Sequence, residues 1–154
     1  MKKRYLLIIS LIISLLFGAY TFFSQKEEKQ AANEIFKGCL SEADSCFGVD
    51  YTKADEDAKN YYYIKAASNL HTAIYIFEFT SYDNDKNNNP DLAKAISGLY
   101  LSMTVQSTPE ANNRWIAVTE KRDAIFRSLH YISMNPNDKD NCKELAKIVS
   151  DIGY

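Results

Sequence analysis

Apolar positions along this chain fall into one unbroken run followed by several stretches with helical spacing. From Tyr5 to Phe23 the sequence reads YLLIISLIISLLFGAYTFF, without a charge. The stretch from Gln25 to about Asp44 is rich in Glu, Lys, Gln and Ala, and places Ile35, Phe36, Cys39 and Leu40 on one side. That pattern predicts a helix leaving the apolar run. Phe47-Gly48-Val49-Asp50 predicts a break.

A second helix is expected from Thr52 to about Tyr82. Thr52 is the expected N-cap, with Asp55 and Glu56 in the first turn, where acids favour the helix dipole. Ile64, Ala67, His71, Ile74 and Phe77 recur at spacings of three and four and form the expected core face. Residues 73–79, AIYIFEF, also have the β-branched and aromatic content of a strand. No turn pair nearby makes a hairpin, so helix is the expectation there.

The polar stretch YDNDKNNN, residues 82–89, reads as a loop ending in Asn89, which caps a helix with Pro90 at its first position. Leu92, Ile96, Leu99, Tyr100 and Met103 are the apolar positions of that helix. Ser107 and Glu110 form a capping box around Pro109. The helix after it carries Trp115, Val118, Arg122, Ile125, Phe126, Leu129 and Ile132 on one face and stops before Pro136. Asp138 or Asp140 starts a last helix with Leu145, Ile148, Val149 and Ile152, ended by Gly153. Asp91-Leu92-Ala93-Lys94 echoes Glu144-Leu145-Ala146-Lys147, but four matching positions are cheap in amphipathic helices and the patterns of helical solenoids are absent. The expected fold class is all-α: an N-terminal transmembrane helix, then a small bundle or stacked helical hairpins of about five helices.

The apolar run sets the expected location. Its 19 residues reach about 28 Å as a helix, against a hydrocarbon core of ~30 Å. Lys2, Lys3 and Arg4 precede it, and none of the first 24 residues is acidic. The far side, Lys26-Glu27-Glu28-Lys29, is neutral. Positive flanks stay in the cytoplasm. Residues 1–24 are therefore expected to anchor the chain in the cytoplasmic membrane, through residues 5–23, with 25–154 as an extracytoplasmic, periplasmic domain. A signal peptide cleaved to release a periplasmic protein is the alternative; its apolar stretch is usually shorter, and no small-x-small site fits well after the run. A buried core helix is the third reading.

Beyond the three N-terminal cations, 15 basic and 20 acidic residues leave the domain at about −5. They form no basic stripe, which disfavours nucleic acid and anionic lipid as partners of the domain.

Outside the membrane, thiols tend to oxidise, which makes Cys39, Cys46 and Cys142 disulfide candidates. On one unbroken helix Cys39 and Cys46 would stand about 10.5 Å apart along the axis. A disulfide tolerates Cα separations of ~4.4–6.8 Å. They pair only if the chain turns at Gly38 or between Ser45 and Gly48. The pairing slightly favoured ties Cys142 to Cys39 or Cys46, closing a loop of roughly 100 residues. Three free thiols are the remaining alternative, and a leftover Cys can link two chains into a disulfide-bonded dimer.

Little else carries chemistry. His71 and His130 each stand without a metal-ligand partner at a suitable spacing, and no catalytic or phosphate-binding motif occurs. Glu78, inside a very apolar run, is the only carboxylate placed for acid–base work. Asp83, Asp85 and Asn87 match three positions of a calcium loop, but Asn88 replaces its Gly and Lys94 its bidentate Glu. No enzyme, metal or cofactor is therefore expected. Of the 11 Tyr, 8 Phe and one Trp, Tyr61-Tyr62-Tyr63 is the informative cluster. Successive helix residues point ~100° apart, so the three rings cannot share one core. Tyr is over-represented at binding hot spots. With Tyr51, and with Asp55, Glu56 and Asp57 as a rim, the cluster is the expected patch for a protein partner. Function is expected to be protein–protein binding from a membrane tether, of the immunity, exclusion, inhibitor or envelope-accessory kind. An envelope enzyme using Glu78 or His71, or a purely structural membrane subunit, is the alternative.

Overall fold

In a computed structural model of the chain, residues 2–84, 89–104 and 118–152 are described, with side chains from Leu11 onward and Asn84 excepted. The described residues form helices α1 (Lys2–Phe47), α2 (Glu56–Phe77), α3 (Ser81–Asn84), α4 (Pro90–Thr104), α5 (Arg122–Met134) and α6 (Lys139–Asp151). Residues 118–120 are also helical, separated from α5 by a turn at Lys121. The described chain is all-helical, as the spacing predicts. The capping box at Ser107 and Glu110, Trp115, Gly153 and most of the calcium-like loop lie outside the described residues.

The apolar run and the helix expected to follow it are one element. α1 continues for 46 residues, about 69 Å at ~1.5 Å per residue. Its buried positions start at Ala32 and continue through Phe36, Leu40, Ala43, Cys46 and Phe47. These recur every three or four residues, so only the distal half of α1 presents a stripe to the core. The chain turns after Phe47, where Gly48 N–H donates to the Asp44 carbonyl at 3.1 Å.

α1 packs on α2 and α5, α2 also on α4, and α4 on α6, which returns to α5. Five helices thus close a ring around one core of Phe36, Leu40, Leu70, Leu92, Leu99, Ile125, Leu129, Ile132 and Leu145. α2 runs antiparallel to both α1 and α4. Phe36 meets Phe77 with ring centroids 5.6 Å apart, while Glu42 pairs with Lys65 at 2.7 Å. Asn33 and Ser81 exchange two hydrogen bonds of 2.9 Å that tie α1 to the start of α3. Between α2 and α4, Tyr63 Oη donates to the Met103 carbonyl at 2.6 Å and the His71 ring lies 5.1 Å from Tyr100.

Local rules place most helix ends. Asp138 caps α6 by accepting from Asn141 N–H at 3.1 Å. At α2 the cap is Asp55, accepting from Ala58 N–H at 2.7 Å, and not Thr52. Thr52 is held instead by Asp50 Oδ1, to which its hydroxyl donates at 2.6 Å. α2 ends at Phe77 rather than near Tyr82, since Thr80 turns its hydroxyl back onto the Phe77 carbonyl at 2.6 Å. The β-rich stretch is helical through Phe77, with Glu78 as C-cap. α4 begins at Pro90 as expected, but the Asn89 amide donates to the Pro136 carbonyl at 3.0 Å and faces Cys142 Sγ at 3.2 Å. The Leu92–Leu145 echo does not mark equivalent faces: both leucines are buried, but Ala93 is exposed and Ala146 buried.

The expected core face of α2 holds in part: Ala67, Ile74 and Phe77 pack against the core, half-buried. Ala66, Leu70 and Ala73 are the buried positions, whereas Ile64 is 63% exposed and His71 is exposed. The cause is close helix approach. Where α1 and α4 press on α2, small alanines fit the contact, and small residues contribute little to an apolar periodicity.

Candidate functional site

Three regions of the described molecule are unusual enough to bear function: the proximal half of α1, the outward face of α2, and a buried carboxylate on α1.

On α1, Leu11, Ile13, Leu15, Leu16, Phe17, Tyr20, Phe22 and Phe23 are all more than 60% exposed. They point to every side of the helix, and no other described residue covers them. Among the described residues no helix is long and apolar enough to cross a membrane. The described side chains begin at Leu11, partway along the uncharged run of the sequence. Phe22, Gln25, Lys26, Lys29, Gln30 and Asn33 of α1 line a cleft where the apolar part meets the domain, closed by Ser81.

On α2 the tyrosine cluster divides among three surroundings. Tyr61 is exposed, with its ring edge-on to Tyr62 at 5.3 Å. Tyr62 and Tyr63 are half-buried and packed on the core, and Tyr63 is bonded to Met103. Tyr51, at the turn before α2, donates to the Cys46 carbonyl at 3.2 Å, and burial pushes its phenol up to about 12. The four tyrosines are therefore neighbours, but only Tyr61 is free to meet a partner. It belongs to a longer stripe that sequence reading missed: Tyr61, Ile64, Ser68, His71 and Tyr75 are exposed along one face. The His71 ring sits edge-on to Tyr75 at 4.7 Å and against Tyr100, so the stripe is ordered by its own ring contacts.

The cysteines do not pair. Cys39 and Cys46 stand two turns apart on an unbroken helix, so the turn their pairing needs does not form. Cys142 lies in the first turn of α6, which packs on α4 and α5, so it reaches neither of them. All three are free thiols, Cys46 and Cys142 buried and Cys39 half-buried. Burial raises each above the ordinary thiol value, Cys142 to about 11, which suppresses thiolate reactivity.

The third region, Asp44, carried no signal in the sequence, because its partner is 86 residues away. Asp44 is 6% exposed; its Oδ2 lies 3.0 Å from His130 Nδ1 on α5, and its buried Oδ1 has no hydrogen-bond partner among the described residues. Desolvation raises its carboxyl above the usual value, against a smaller opposing effect of His130. The imidazole is half-exposed and flanked by Phe126 and Tyr131. The Ser133 hydroxyl nearby is turned onto the His130 carbonyl at 2.7 Å rather than onto the imidazole. Glu78 does not join His71; it is exposed and lines an open apolar groove with Ile74, Tyr75, Phe77, Asp83 and Ala93. Among the described residues no group of His, Cys, Asp and Glu is placed to hold a metal ion.

No protein family matches the chain, and neither a characterised protein nor a solved structure resembles it.

Proposed function

We propose that the chain is a single-pass membrane protein whose helical ring presents the outward face of α2 to a protein partner on the far side of the cytoplasmic membrane. The observation that carries the reading is the proximal half of α1, apolar on every side and covered by none of the other described residues. A helix apolar all round belongs in a bilayer or in a large core. The core of the ring begins at Ala32 and is built by the distal half of α1 and the other helices, without this segment. Lys2, Lys3 and Arg4 before the run orient it with the N-terminus in the cytoplasm. The domain, at about −5 and without a basic stripe, is suited to protein rather than nucleic acid.

The partner-binding reading rests on exposed aromatics in a pre-ordered stripe, the composition of binding hot spots. Tyr61 belongs to it directly, while Tyr51, Tyr62 and Tyr63 support its distal end from behind. A structural-subunit reading draws on the same anchor without the stripe, and substitutions on the stripe separate the two.

Fractionation and a reporter fused after Tyr154 test the tether. The chain is expected to stay with membranes through carbonate washing at its full length, with the reporter active only outside the cytoplasm. Release into the soluble fraction at full length, or a reporter active only in the cytoplasm, overturns the reading.

A further inference from the structure

α2 carries two stripes with the same spacing. Tyr63, Ala66, Leu70, Ala73 and Phe77 step by three and four and face the ring. Tyr61, Ile64, Ser68, His71 and Tyr75 step by three, four, three and four on nearly the opposite side, and all are exposed. That alternation keeps side chains on one line when two helices wind around each other. From it we infer that the outer stripe is the seam of a two-fold pair with a second copy of this chain, α2 lying parallel to α2.

The proposed tether and two observations point to a second copy. The tether, on which this inference rests, holds every copy with the same end at the membrane. α1 runs from the apolar segment into the ring as one unbroken helix, and α2 packs antiparallel against it. Neighbouring copies therefore hold α2 parallel and at equal height, the arrangement that sets Ile64 against Ile64 and Ser68 against Ser68. The flanks of the stripe are Asn60, Lys65, Ala67, Thr72 and Ile74, with a single charge. Between Tyr61 and Tyr75 a parallel pair sets Lys65 against Asn60 of the other copy, so like charges do not meet within that stretch, which ends at the exposed Asp57 and Glu78. The charge of Lys65 is matched by Glu42 at 2.7 Å within the chain. Ser68, the small residue at the middle, lets the two helices approach closely. The seam is short compared with a standard interface, and confinement to one bilayer supplies the effective concentration that area alone would not.

The test is disulfide trapping of the purified full chain in phosphatidylcholine vesicles. Ser68→Cys is the trapping variant, since Ser68 is exposed; Glu144→Cys on α6 is the control. Both are made with Cys39→Ser, and the oxidant is copper phenanthroline. Ser68→Cys chains are expected to cross-link roughly tenfold or more faster than the control, an advantage of the size tethering confers. Adding Ile64→Glu should remove that advantage while circular dichroism stays helical. Equal cross-linking of Ser68→Cys and control chains that remain in the vesicles overturns the seam and leaves the tether standing. Chains that wash out of the vesicles overturn both, because parallel alignment then has no basis.

Discussion

At Asp44 one carboxylate oxygen lies 3.0 Å from His130 Nδ1, and the other is buried without a partner. A buried carboxylate is costly unless it is hydrogen-bonded, so His130 matters here more than a half-exposed imidazole usually does. His130→Ala should destabilise the domain by about 1–3 kcal/mol at neutral pH, the cost of leaving a buried polar group unsatisfied. The sign of the pH dependence follows from the raised carboxyl. The folded chain holds the Asp44 proton more tightly than the unfolded chain does. The resulting stability is fully present below the unfolded value of 3.8 and is lost as pH rises through the higher folded one. The His130→Ala penalty should therefore shrink when urea unfolding is repeated in acid approaching pH 3.8. A penalty equal at both pH values would mean that His130 acts through packing alone.

At the scale of elements, helix ends follow from capping chemistry and helix faces from neighbours. Asp55 offers α2 an acceptor for Ala58 N–H, with Glu56 and Asp57 behind it in the first turn. Asp55→Ala should cost about 1 kcal/mol in urea unfolding. Thr52→Ala should cost less, because its hydroxyl serves the Asp50 turn and no helix N–H. An equal loss from the two substitutions would restore Thr52 as a cap. Gly48 is set by approach rather than by backbone geometry: a Cβ there would stand 3.1 Å from the Phe126 ring, which bounds the space between the α1 terminus and α5.

For the whole molecule the deciding feature is that α1 belongs to two environments at once. Its distal half is one of five ring members, and its proximal half packs on none of the other described residues. Phe36 sits where the ring starts, fully buried between Phe77 and Tyr82 at 5.6 Å from each. Phe36→Ala should cost about 3–5 kcal/mol and loosen the proximal end of the ring, read as a lower thermal midpoint by near-ultraviolet dichroism. Membrane association should be unchanged, since the proximal apolar side chains are untouched. Loss of membrane association in that variant would show that the ring, and not the apolar segment, holds the chain there.

Much of this could be read from residues alone, for a physical reason. Helical class, the α4 start at Pro90, the Asp138 cap, and the faces of α5 and α6 are local, set by contacts within about one turn, which spacing along the chain reports directly. The centre of the α2 face at Ala66, Leu70 and Ala73, the free thiols and the Asp44–His130 pair were not legible. α2 carries two stripes of equal spacing, and only the approach of α1 and α4 decides which one turns inward. The cysteines depended on whether α1 breaks before Phe47, a choice made by the long-range packing of its distal half. Asp44 and His130 meet only because α1 and α5 close the ring. Local spacing determined which helices this chain can make; only their assembly decided which side chains they bury, because burial is a property of pairs of elements and not of one.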